Sequence, residues 1–494
     1  MPARVRAPQA NGAVLAEPGF DAVPGLVAAN RERLDRRDVR VGGLPLHELR
    51  ALARHEALGL AHEVSGPPLP RSGSAPPGPL LLAGHQPELS HPGVWVKNFA
   101  LNGLAHRLNG VPLNLIVDND TLKSTAIRFP TFRDRTAASV RLESLAFDTF
   151  SGEVPYEDRR VEGAGGARAF ESFAHRAQPL WANWGYEPLL RRAWPGVVHH
   201  HPTEPIGERF SQLRQRYERE WGCDNLELPV SRLSQTQAFV RFAGHVLGDL
   251  PRFRAVYNAA VRAYRTANGV RSTNHPAPEL AEGEAPFWVR TGAGRRQRAT
   301  PASDVKLLRP RALTLTLFAR VCLGDFFIHG IGGGKYDEVT DALIRGYFGI
   351  EPPAYQVLSA TLHLPLPAFP ATAHDLHVAE RRARDLRWNP HALPTADAGL
   401  VREHAALTAR EPARGAHAAR REWFRALRNV KEKLREGAAN EVPVAETELR
   451  RVRAEVAANA ILRRRDYPWV LYPEEVLKPF LQSLRALAAG AARA

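Results

Sequence analysis

The clearest hydrophobic patterning lies in residues 80–124. Leu80-Leu81-Leu82-Ala83 is an uninterrupted apolar run that breaks at Gly84-His85-Gln86-Pro87. Residues 113–117 form a second, mostly apolar run that breaks at Asp118-Asn119-Asp120. Short apolar runs bounded by turn residues predict buried strands. The stretch between them predicts a helix starting near Pro92-Gly93. The result is a strand–loop–helix–strand unit with polar groups at the carboxyl ends of both strands, where ligands bind in open α/β sheets.

Residues 309–365 repeat the pattern. A helix is predicted over 311–323, a strand over 326–331, a helix over 336–348 and a further strand over 357–364, all expected in the same sheet. Residues 1–75 read as a loose leader and then a helix over 45–63, with Leu46, Leu49, Leu52 and Leu58 near one face. A Pro- and Gly-rich linker follows at 65–79. Residues 130–300 read as an inserted cover, with a helical segment over 239–267, a strand near 286–290 and a basic turn over 292–298.

From about Leu376 the chain is helical and charged. Phe424, Leu427, Val430 and Leu434 recur at helical spacing, and Leu449, Val452, Val456 and Ile461 do the same after a break at 436–444. Two antiparallel amphipathic helices satisfy this pattern, either as a coiled-coil arm for dimerisation or as a hairpin on its own core. Residues 466–475 then return to the core. The expected domains are 1–78, an α/β core at 79–375 and a helical arm with its return at 376–494.

Composition changes this picture little. The 494 residues are 44% hydrophobic and 24% charged, ordinary values for a globular protein. No apolar run approaches the roughly 18 residues that a membrane span requires, and the first residues lack a secretion-signal core. Cytoplasmic residence is expected. Cys223 and Cys322 are read as buried structural thiols, with a nucleophilic role as the alternative. The net charge of +15 comes from 60 arginines and seven lysines spread along the whole chain. It suits anions in general, and no motif points to a specific nucleic-acid partner. Against that arginine background, Lys97, Lys123, Lys306 and Lys335 fall in or next to the candidate segments. They mark positions needing a compact ammonium, or cluster by chance.

Several residues could carry chemistry. Gly84 allows close ligand approach, His85 and Gln86 project from the strand end, and His91 and Lys97 belong to the start of the following helix. They bind an anion, or the histidines merely cap the turn. Asp118, Asn119 and Asp120 hold a hydroxyl or amine or act as a base, or form a simple turn. His329, Gly332, Gly333, Gly334, Lys335 and Tyr336 read as a glycine-rich anion cradle before a helix, although the spacing is neither a Walker A nor a GxGxxG motif. His85, His91, Asp118 and Asp120 are the candidate catalytic residues, with Gly84, Gln86, Lys97, Asn119, Lys123 and the 329–336 set in binding. No metal site is expected; His199-His200-His201 reads as loop surface. Arg295, Arg296 and Arg298 clamp a phosphate or form a solvated turn.

Gly84-His85-Gln86 and Asp118-Asn119-Asp120 resemble the strand-end motifs of BshC, the cysteine-adding enzyme family of bacillithiol biosynthesis. Gly332-Gly333-Gly334, Tyr336, Glu338, Phe348-Gly349 and Pro352-Pro353 are similar to that family's later loop and helix, and residues 400–465 to its helical arm. The resemblance implies a Rossmann-like core and a coiled-coil homodimer. It also implies a ligase-like activity condensing an amino acid or amine with a small carboxylate-bearing, sugar-type substrate, with ATP or another nucleotide in play. His85 stands where the family has glutamine, the acidic cluster lacks a histidine, and the later loop is Gly-Gly-Gly-Lys, so the substrate is open. The His-Gln-Pro run also resembles WbqC-like acyl- or sugar-modifying transferases. A non-catalytic scaffold with a vestigial site is the third reading.

Overall fold

The computed structural model describes residues 6–66, 78–149, 152–199, 204–291 and 294–491. The chain divides into two compact units, one of Met1–Arg128, Ser144–Pro365 and Arg465–Ala494, the other of Phe129–Glu143 and Leu366–Arg464.

The first unit is built on six strands: β1 (Val14–Glu17), β2 (Leu80–His85), β3 (Val111–Ile116), β4 (Leu226–Pro229), β5 (Phe326–His329) and β6 (Gln356–Ala360). Their order is β1-β6-β5-β2-β3-β4, with all neighbours parallel except the edge strand β1, which runs antiparallel to β6. The chain is therefore mixed α/β with a mostly parallel sheet. Residues 14–17, expected in a leader, supply that edge; four residues are too few to show a period.

Helices cover both faces, which is why β2 and β3 are apolar on both sides. Leu80, Leu82, Leu113 and Leu115 pack into one core with Leu46, Leu49, Ala53 and Ala57 of α1 (Leu46–Ser65). Each buried leucine contributes about 2 kcal/mol of transfer free energy. On the other face α2 (Pro92–Arg107) lies over the sheet and beneath the C-terminal helix Glu474–Ala488. Enclosed between two layers, α2 is buried from Trp95 to Ala105. The crossing needs Gly103, where a Cβ would collide with the backbone oxygen of Arg485.

Three predicted elements differ in detail. The helix expected over 239–267 is two helices, Gln237–Gly248 and Leu250–Asn268, because Pro251 starts a new helix after the non-helical Asp249. The helix expected over 311–323 is α-helical only from Ala312 to Phe318 and continues as a π-helical turn, Ala319–Leu323. The glycine-rich segment is not a loop. It forms the first turns of α3 (Ile331–Leu343), where a Cβ on Gly333 would lie 2.8 Å from His329 Nδ1 and one on Gly334 2.5 Å from Val357 Cγ2. Close packing, not turn geometry, requires those glycines.

Residues 67–77 of the predicted linker, His200, His201 and Gly292 of the basic turn lie outside the described residues. His199 follows the helix Leu190–Val198, and Arg296–Arg298 forms a strand in a small sheet with Phe287–Arg290 and Leu308–Pro310.

The second unit contains α4 (Ala373–Trp388), α5 (Ala398–Ala409), α6 (His417–Gly437) and α7 (Glu441–Leu462). The two apolar stripes fall on α6 and α7 as expected, but these helices do not chiefly pair with each other. α7 lies along α4, with ion pairs Arg453–Glu380 and Arg387–Glu446, and α6 packs on α5, where Trp423 Nε1 donates to Leu407 O. The stripes are only partly covered: Val430, Leu434 and Val452 are buried, Ile461 packs in a cluster with Val140, and Phe424 stays exposed. Among the described residues no helix is long and apolar enough to cross a membrane.

Candidate functional site

The register of the parallel strands brings the polar strand ends together. His85 is opposite Ile116, and Ala83 is opposite both Asn114 and Ile328, so residues 85–86, 118–120 and 329–330 end at one level. A cleft of about 1090 Å³ opens there. It is lined by Gly84, His85, Gln86, His91, Lys97, Asn119, Asp120, Lys123, His329, Gly332, Gly333, Lys335 and Tyr336, residues from three separate stretches of chain. Of the predicted site residues only Asp118 and Gly334 stand apart from its lining. Gly334 packs on Val357. Asp118 faces away, accepting hydrogen bonds from Ser231 N at 2.8 Å and from Ser231 Oγ. Burial pushes its carboxyl up to about 7, the Ser231 bonds only partly opposing this.

One side of the cleft is cationic and donor-rich. Lys97 is 3% exposed, and its ammonium donates to Gly84 O at 2.8 Å. Among the described residues it forms no ion pair with a carboxylate. Burial alone brings it down to about 8, so at neutral pH it holds a positive charge without compensation. Its position is set by its neighbours on α2: Trp95 Nε1 and Asn98 Nδ2 both donate to Glu218 Oε1, at 2.5 and 2.7 Å. Glu218 is held by Arg214, which also pairs with Glu227 at 2.6 Å.

Three helices begin at the cleft, α2 after His91, α3 after Gly330 and Ala312–Phe318 after Arg311, and among the described residues none has a side-chain cap. In α3 the first intrahelical bond is Gly334 N to Gly330 O, which leaves the N–H groups of Ile331, Gly332 and Gly333 before it. Gly332 has open space where a Cβ would stand, and Lys335 is exposed nearby. Backbone donors at a helix start favour anions. Arg465 reaches the start of α2, where its Nη2 donates to Ser359 Oγ at 2.8 Å. A side chain on Gly93 would occupy its place.

His85 and His91 are neutral at pH 7. Burial, then the nearby Lys97, brings His85 down to about 3; burial, then Arg465, brings His91 down to about 4. His85 Nδ1 lies 3.1 Å from Gln86 O; since a carbonyl only accepts, the proton is on Nδ1 and the Nε2 lone pair is left. The side chain remains 27% exposed. His91 Nδ1 is buried without a partner. His329 stacks on Phe327 at 4.2 Å, with Nε2 2.5 Å from Asp337 Oδ2. Burial pushes Asp337 up, but His329 and Arg320 beside it prevail and hold it below the usual carboxylate range. His329 is thus a wall fixed by α3 and by Arg320 of the π-helical turn.

The end of β3 is the acceptor side. Gln86 Nε2 donates to Asp120 Oδ2 at 2.9 Å, and Thr121 N to Asp120 Oδ1 at 2.8 Å. Arg296 Nη1 donates to Asn119 O at 3.0 Å and lies 3.4 Å from Asp120 Oδ1. Arg296 was legible as a phosphate clamp or a solvated turn. It is neither alone: its guanidinium sits 4.7 Å from the Trp288 ring, and Arg311 lies 4.3 Å from the same ring. Arg298 pairs instead with Glu284. Trp288, Arg311 and Arg465 gave no signal in the sequence, because each reaches the cleft from a distant segment. Among the described residues no group of three or more His, Cys, Asp or Glu side chains is placed to hold a metal ion. The chain matches no protein-family model and no curated protein.

Proposed function

We propose that the chain is a BshC-like enzyme with a Rossmann-like core, a ligase that condenses an amino acid or amine with a small carboxylate-bearing, sugar-type substrate. In this reading the protein is cytoplasmic, a homodimer through a coiled-coil arm in its helical unit, and uses ATP or another nucleotide. The observation that carries the reading is Lys97. A buried ammonium without a carboxylate costs stability, and its place in the lining of a cleft where uncapped helices begin suits a ligand that brings negative charge. Lys97 and the first turn of α3 bind the anionic groups. His85, neutral with Nε2 available, accepts a hydrogen bond from the attacking amine and orients it, the proton passing to solvent.

The experiment is thermal unfolding with and without ATP. ATP raises the melting temperature, and His85→Ala and Lys335→Ala reduce the shift. An unchanged melting temperature with ATP and with other nucleotides contradicts the nucleotide part of the reading. The same neutral His85 favours a second reading, a WbqC-like acyl- or sugar-modifying transferase. Stabilisation by acyl-CoA or a nucleotide sugar, with none by ATP, selects it.

A further inference from the structure

Lys97, Lys335 and the start of α3 present donors to the cleft, whereas Asn119 and Asp120 present acceptors at the end of β3, with Lys123 and Arg296 also in the lining. Asn119 is 4% exposed. Its Nδ2 donates to Pro310 O at 2.8 Å, which fixes the amide orientation, and among the described residues its buried Oδ1 has no hydrogen-bond partner. Buried side-chain oxygens are normally satisfied, so an orphan acceptor in the wall of a cleft is a place kept for a donor. Beside it, the Asp120 carboxylate accepts from Gln86 Nε2 and Thr121 N and lies 3.4 Å from Arg296 Nη1.

We infer that Asn119 Oδ1 and the Asp120 carboxylate form the subsite for a primary ammonium group, of a substrate whose anionic group lies against Lys97 and the start of α3. A carbonyl oxygen and a carboxylate accept and cannot donate, so together they select an N–H donor and disfavour a carboxylate or phosphate. Arg296 also lines the cleft beside this pair: it donates to Asn119 O, lies 3.4 Å from Asp120 Oδ1, and contacts the Trp288 ring. The inference rests on the anion-binding reading above and adds which end of the cleft takes the amine. It also moves the role expected of Asp118 to its neighbour.

The test is calorimetric titration of the full chain with ω-aminoalkyl phosphates of two to six carbons and with alkyl phosphates of the same lengths. The series removes any dependence on the unknown span. At one length at least, the amino compound binds about tenfold more tightly than its alkyl partner, the gain of one charge-assisted hydrogen-bonding site. Asp120→Asn and Asn119→Leu each bring that ratio toward one without altering the affinity for the alkyl phosphate. Should Asn119→Leu fail to fold, Asp120→Asn, which preserves shape, decides the matter. Alkyl phosphates binding with no preference for the amine at any length overturns the subsite and leaves the anion site standing, as does a preference that survives both variants. Failure of every phosphate ester to bind overturns the anion site and the subsite with it.

Discussion

Asp118 and Asn119 are adjacent in sequence and turn to opposite sides. Both stood out as polar residues at a strand end, and nothing in the local pattern tells which of two successive residues faces a cleft. That depends on Ser231, more than a hundred residues away, which captures Asp118. The difference is measurable in acid. His85 and His91 have folded pKa values of about 3 and 4 against an unfolded value near 6.5, so between those limits the folded state binds fewer protons and stability falls as pH drops. Asp118, at about 7 against about 3.9 unfolded, binds more protons when folded, and its contribution rises as pH drops through the same window. Near pH 5 the three sum to about one proton, a slope of about 1.4 kcal/mol per pH unit. In Asp118→Asn the opposing contribution is gone, and the acid slope of unfolding free energy near pH 5 steepens by about 1.3 kcal/mol per pH unit. Denaturant melts between pH 4.5 and 6 measure it; an unchanged slope contradicts the burial assigned to Asp118.

At the scale of elements, the strands and helices around the cleft were largely legible. β2, α2 and β3 have abrupt apolar-to-polar boundaries, and α2 begins at Pro92 as the turn residues predict. What was not legible follows from contacts that no window of sequence contains. The glycines of α3 look like a loop until His329 and Val357 are seen against them. The stripes of α6 and α7 look like partners until α7 is seen along α4 and α6 on α5. Two glycine substitutions separate packing from helix propensity. Gly103→Val drives a side chain into Arg485 O and destabilises the fold by about 2 kcal/mol or more. Gly332→Ala meets open space and stabilises α3 by up to about 1 kcal/mol, while it places a methyl at the α3 start. Chemical denaturation of both variants checks the signs, and a stabilised Gly103→Val refutes the close crossing.

For the whole molecule, a net charge of +15 suited any anion and identified none, because arginine is spread over the chain. The fold turns a diffuse property into a local one by burying one lysine in a cleft at the carboxyl end of a parallel sheet. The direct measurement is calorimetric titration with pyrophosphate of the native chain and of Lys97→Met, which keeps the length of the side chain and removes its charge. Lys97→Met loses at least about tenfold in affinity, the worth of a charged hydrogen bond, and unfolds at an equal or higher temperature, since a buried uncompensated charge is gone. Equal affinity for pyrophosphate in the two proteins, or a marked loss of stability in Lys97→Met, contradicts the claim that Lys97 is kept for a bound anion.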